Sequence, residues 1–207
     1  MSKYEYRKSE KKYYLPKEEP TLIQIPSYTF LTIKGIGNPN GEVFSKKIEA
    51  LFTLAYTIKM LPNKGINPLG YFDYVVFPLE GVWDLTDEGK KNEQFSKDQL
   101  IYTLMIRQPD FVDQDLFNLS LDMAKKKKTN LNLNEVRLES IEDGLCVQMM
   151  HIGSFDHEQR SFDVMNSFIE EHQLKKRMMT HREIYLSNFL TTEKSKLKTV
   201  LRYFVTK

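Results

Sequence analysis

The spacing of apolar residues alternates between two periods along this chain. Strands alternate inward and outward positions with period two, whereas helices repeat apolar positions every three to four residues. The stretch IPSYTFLTIKGIGNPN, starting at Ile25, is dense in aromatic and β-branched residues. It ends in Gly35, Gly37 and a turn of Asn and Pro, which predicts a strand and its stop. From Glu42 to about Met60, Phe44, Ile48, Leu51, Phe52 and Ala55 fall at helical spacing. LPNKGINPLG then breaks the helix. YFDYVVFPLEGVW predicts a strand bent at Pro78 or Gly81, and DQLIYTLMIRQ predicts another. A second helix is expected in PDFVDQDLFNLSLDMAKKKK, capped by Asp110 and buried along Val112, Leu116, Leu119 and Met123. GLCVQMMHIG returns to strand, and Phe162, Met165, Phe168 and Ile169 mark a third helix. REIYLS and KTVLRYFV supply the last strands.

The order β-α-β-β therefore occurs twice, and each first strand ends in Ile-Gly, as GIG at 35–37 and HIG at 151–153. The fold class expected is α+β: two β-α-β-β repeats forming one curved, mostly antiparallel sheet, with helices on one side and an open ligand-binding face. Residues 1–20, polar and ending at Pro16 and Pro20, read as an N-terminal arm. Residues 21–207 read as a single domain of two pseudo-repeats, about 21–108 and 141–207, joined by a helix and connector over 109–140.

Composition adds exclusions. The 207 residues are 41% apolar and 28% charged, as in an ordinary soluble globule. No apolar run approaches the ~20 residues of a membrane span, and MSKYEYRKSEKKYY lacks the apolar block of a secretory signal. The single cysteine, Cys146, cannot form an internal disulfide. A cytoplasmic setting without a membrane partner is the expectation. The net charge is +2, and the basic clusters Lys11-Lys12, Lys125–Lys128 and Lys175–Arg177 fall where helix ends or tails place solvated lysines. No direct nucleic-acid partner is expected.

Several chemistries lack their motifs. GIGNPNG carries neither the Lys-Ser/Thr of a phosphate loop nor dinucleotide-binding spacing. His151, His157, His172 and His181 show no zinc spacing, and Cys146 in an apolar strand is a poor nucleophile, so neither metal nor cofactor is expected. Two carboxylates stand out. In HREIYLSN, Ile184 and Leu186 share one face of a strand while Glu183 and Tyr185 share the other. Glu80, in FPLEGVWD, occupies the corresponding region of the first half near Trp83. An acid among aromatic rings either stays ionised and attracts a cation or is raised by burial until it delivers a proton. Tyr185, Trp83, Tyr71, Phe155, Met149, Met150 and Tyr56 complete the candidate ligand-binding set.

The blocks IKGIGNPN, FPLEGVW, RQPDFV, VQMMHIGSFDHE, HREIYLSN and LKTVLRYFV resemble, in order and from about Tyr4 to Thr206, the stand-alone GyrI-like proteins of bacteria. The resemblance implies the repeated β-α-β-β ligand-binding domain that also serves as the effector-binding part of multidrug-responsive transcription activators. In those relatives an acid on the strand matching HREIYLS meets lipophilic cations in an aromatic pocket, and Glu183 is the matching position. Three functions follow as expectations. The first is binding of bulky, flat, amphipathic and often cationic small molecules. The second is a hydrolase opening cyclopropane rings of DNA-alkylating compounds, with Glu183, Glu80 and Tyr185 as catalytic groups. The third, by analogy alone, is interaction with DNA gyrase. Here NFLTTEK stands where such proteins more usually carry Asp-Pro-Arg-Arg.

Overall fold

A computed structural model describes residues 3–91, 94 and 96–207. Among these the α-helices are α1 (Tyr6–Ser9), α2 (Lys11–Tyr14), α3 (Glu42–Lys59), α4 (Gln114–Lys127) and α5 (Gln159–Glu171). The strands are β1 (Thr21–Ile36), β2 (Leu79–Leu85), β3 (Leu100–Arg107), β4 (Arg137–Ile152), β5 (Lys175–Tyr185) and β6 (Lys198–Thr206). The chain is α+β, and the order β-α-β-β recurs as β1-α3-β2-β3 and β4-α5-β5-β6. Within the two units described below, the strands neighbour one another as β1-β3 and as β2-β5-β6-β4. No helix among the described residues is long and apolar enough to cross a membrane.

The two Ile-Gly signals do the same job. Gly37 (φ 117°) and Gly153 (φ 136°) both adopt backbone that L side chains rarely reach. Their N–H groups donate to Leu100 O and Leu197 O, each at 2.9 Å, at the start of the last strand of the first repeat and one residue ahead of that of the second. The local sequence thus fixes where each long strand stops and its helix begins.

The chain divides into two compact units. One comprises Met1–Glu5, Tyr28–Phe77 and Leu85–Ile141. In it β1 pairs antiparallel with β3, from Phe30↔Arg107 to Ile36↔Ile101. Helix α3 buries Phe44, Leu51 and Ala55 of the stripe read from the sequence, together with Leu54 and Ile58, while Ile48 and Phe52 are only half-buried. Two expectations shift here. Pro109 starts a turn (Val112 N to Pro109 O, 3.0 Å), so α4 is capped by Asp113, whose carboxylate accepts from Leu116 N at 2.8 Å, and not by Asp110. Its buried side is Phe117, Ser120 and Ala124, and Leu119 is exposed. Of the strand expected over residues 71–83, the part ahead of β2 forms only a parallel bridge from Tyr74 to Tyr4. Pro78 lacks the ladder donor, and Phe72 and Tyr74 instead stack edge-on with Phe111 at centroid distances of 5.7 and 6.1 Å.

The second unit comprises Tyr6–Ser27, Pro78–Asp84 and Glu142–Lys207. In it β5 pairs with β2 and β6, and β6 with β4, all antiparallel. One face packs against α5: Val147, Met149, Leu201, Tyr203 and Val205 meet Met165 and Ile169. The other face carries buried charge. Arg182 donates to Glu80 at 2.9 Å and to Asp143 at 2.6 Å. Burial works to lower the Arg182 pKa, but Asp143 and Glu80 outweigh it and hold the guanidinium charged. Arg202 donates to Gln148 at 2.9 Å and to the Tyr13 carbonyl at 2.6 Å, and Gln148 reaches the Lys12 carbonyl at 2.6 Å. The N-terminal segment is therefore fastened to this polar face through its own backbone.

Candidate functional site

The alternation of β2 and β5 assembles the site. Across the pair, Gly81 stands opposite Glu183 and Trp83 opposite His181. On this face β5 also presents Tyr185, two residues beyond Glu183. The Tyr185 hydroxyl donates to Glu183 Oε2 at 2.7 Å, and the Trp83 indole N–H donates to that hydroxyl at 2.8 Å. His181 Nε2 meets Glu183 Oε1 at 2.8 Å. Both oxygens of the carboxylate are thus held, although Glu183 is only 8% exposed. Burial first, then the Glu183 charge, raises the Tyr185 pKa well above its usual value, so the phenol stays neutral and keeps donating.

Glycine at position 81 is required by this geometry. A Cβ there would lie 2.8 Å from Trp83 Nε1 and 3.3 Å from the Tyr185 oxygen. Gly81→Ala is expected to cost about 1–3 kcal/mol by overpacking and to displace the indole. Trp83 is the sole tryptophan, so its emission reads the change directly: a red shift is predicted, and an unaltered spectrum and melting temperature would contradict the contact.

Rings and a second acid border Glu183. Phe155, Tyr185 and Phe189 meet one another edge-on at 5.8 to 6.3 Å. Phe162 packs on His181 at 4.7 Å. Glu183 shares its face with Leu201 and Met149, on which α5 also packs. Just before α5, Glu158 is buried, and its Oε1 has no hydrogen-bond partner. Burial, then the Glu183 charge, then Asp156, pushes Glu158 up to about 10, so it is a neutral acid at physiological pH. On β4, His151 Nδ1 lies 2.9 Å from Ser161 Oγ and Nε2 3.1 Å from the Ser154 carbonyl. The carbonyl requires the proton on Nε2, leaving Nδ1 to accept from the serine. Burial lowers the His151 pKa, so the ring is a neutral brace for the turn that carries Phe155 and Glu158.

The sequence candidates separate accordingly. Glu183, Tyr185, Trp83 and Phe155 come together. Glu80 sits opposite Ile184 and turns to the other face, where Arg182 holds it. Met149 is packed beneath α5, and Met150, one residue on, points to the opposite face. Tyr71 and Tyr56 belong to the first unit. There the Tyr71 hydroxyl donates to the Lys59 carbonyl at 3.0 Å, and Tyr56 is exposed beside Phe52. Sequence reasoning missed Glu158, Phe162, Phe189 and the role of Gly81. For Gly81 a signal existed: a glycine two residues from Trp83 on one strand and a His-x-Glu-x-Tyr alternation on another.

A fold of two β-α-β-β repeats with an acid set among rings defines a class of small-molecule-binding domain. Residues 18–203 match the model of the GyrI-like small molecule binding domain, and the chain belongs to that family. It is similar to a hydrolase from Listeria innocua (37% identity, 99% of this chain and 100% of that chain covered, TM-score 0.89). A hydrolase encoded by lin2189 from the same organism matches at 38% identity, covering 99% of this chain and 100% of that one, with a TM-score of 0.91. The C-terminal domain of EcmrR, at 12% identity with 91% of this chain and 98% of that chain covered, shares the fold with a TM-score of 0.54. No curated protein matches the chain.

Proposed function

We propose that this protein is a hydrolase that adds water to flat, ring-containing electrophilic small molecules, with strained cyclopropanes conjugated to a carbonyl as the reactive class. The observation that carries the reading is the Glu183 carboxylate, held by His181 and Tyr185 at 2.8 and 2.7 Å among aromatic rings. A carboxylate so fixed is positioned to accept a proton from water. The water oxygen then bonds to a strained ring carbon, the carbon–carbon bond breaks, and its electron pair moves to the conjugated carbonyl oxygen. Where that carbonyl belongs to a cyclohexadienone, the oxygen takes up a proton and the ring becomes a phenol. The net change is addition of one water. Phe155, Phe189 and Trp83 supply flat apolar surface for the substrate, each buried Å² contributing ~25 cal/mol. Similarity to proteins described as hydrolases, over nearly the whole length of both chains, supports the same reading.

The rings around an acid also fit a second reading, binding of a lipophilic cation. Incubation of the protein with a cyclopropane-containing alkylator, followed by mass spectrometry, separates the two. Water adduct in molar excess over protein is the expected result. Recovery of intact compound, together with tight binding of a lipophilic cation, would overturn the hydrolase reading.

A further inference from the structure

We propose that Glu158 is the proton donor of this site, and that its substrates are therefore electrophiles whose departing electron pair settles on an oxygen that needs a proton to leave as a stable product. The inference rests on the hydrolase reading above and assigns the half of the reaction that Glu183 does not perform.

The argument begins from position. Glu158 sits at the end of the turn Phe155–His157 and at the start of α5, where Ser161 N and Phe162 N donate to its carbonyl at 2.9 and 3.0 Å. A glutamate at a helix start is normally a solvated anion favoured by the helix dipole. This one is 7% exposed, and its Oε1 meets no donor. A buried anion without donors is costly, so the carboxyl keeps its proton.

The charged and titratable groups around it reinforce that state. Phe155 before it packs on Tyr185 and Phe162 after it packs on His181, which sets it beside the site. Glu183 from β5 and Asp156 from the same turn both raise its pKa. Among these groups nothing cationic opposes them, and His151 on β4 is itself kept neutral by burial. The site therefore pairs a carboxylate held at both oxygens with a buried acid whose Oε1 has no hydrogen-bond partner. In the reaction, Glu183 gains a proton from the attacking water while Glu158 gives one to the carbonyl oxygen as the carbon–carbon bond breaks. Proton return through solvent restores both groups, and one water is consumed.

The test uses Glu158→Gln in the full chain, with a set of cyclopropane-containing ketones whose product phenols span a range of acidity. Wild type is expected to show a shallow dependence of rate on phenol acidity. The variant is expected to show a steep one, losing about 100-fold on the least acidic phenol and little on the most acidic. Infrared spectra at neutral pH are expected to show a protonated-carboxyl band in wild type that the variant lacks. A folded state that holds its proton more tightly than the unfolded one loses stability as pH rises from the unfolded pKa, 4.5, towards about 10. The variant should therefore melt higher than wild type at pH 8 and equally at pH 4. If wild type turns over and the variant keeps its rate within threefold on every substrate, the proposal for Glu158 falls alone. If wild type adds no water, the hydrolase reading and this proposal fall together.

Discussion

Arg182→Ala is expected to lower the melting temperature by roughly 6–20 °C. Arg182 is 1% exposed and joins Glu80 on β2 to Asp143 on β4. Its removal leaves two buried carboxyl groups without their close ion-pair partner; Arg202 stands 4.0 Å from Asp143, and Arg177 reaches only the Asp143 backbone carbonyl. Breaking a buried pair by deleting one partner costs about 3–5 kcal/mol, and 1 kcal/mol moves the midpoint of a domain this size by about 2–4 °C. That loss is a large part of the ~5–15 kcal/mol by which domains are stable. Neutralising Glu80→Gln, Asp143→Asn and Arg182→Met together should recover part of the loss, because two unpaired acids are no longer buried and Arg202 keeps its hydrogen bonds to Gln148 and the Tyr13 carbonyl. Calorimetry of the single and triple variants checks this. A single variant within 2 °C of wild type would show that the charges are not as tightly enclosed as their geometry indicates.

The second large effect concerns chemistry and leaves stability nearly untouched. Glu183→Gln keeps the size of the side chain and an oxygen able to accept from Tyr185. It removes the negative charge and the ability to take a proton from water. A general base typically contributes about 10²–10⁴-fold, and a loss of that order is expected in kcat. Affinity for an unreactive flat analogue should change little, because the rings of Phe155, Phe189 and Trp83 make that contact. A loss confined to affinity, equal for cationic and neutral analogues, would place Glu183 outside both catalysis and charge selection.

How much of this was legible in the sequence depends on whether a residue's direction follows from local periodicity. The long strand and helix patterns did follow, and so did the two Ile-Gly stops, because glycine at a positive-φ position leaves few alternatives. Glu183, Tyr185 and His181 share a face by simple alternation, and the structure joins them by hydrogen bonds. Glu80 was not decidable in this way. Its direction depends on which register β2 adopts against β5, and Gly81, not Glu80, lies opposite Glu183. Met149 reads equally as pocket or core until α5 is placed over it. Glu158 was hidden for a different reason: an acid at the head of a helix looks like a solvated capping group. Its burial, with Glu183 of β5 and Asp156 of its own turn nearby, makes it a neutral acid.

The central claim is that the Glu183 carboxylate takes the proton from a water that then attacks a bound electrophile. A single-turnover experiment in ¹⁸O-enriched water, with a cyclopropane-containing alkylator and protein in excess, tests it most directly. Wild type should form a ring-opened product carrying the heavy oxygen from solvent. Glu183→Gln should form the same product at least about 100-fold more slowly while binding the unreactive analogue with unchanged affinity. Product formed by both proteins at the same rate, or product carrying no solvent oxygen, would contradict the account.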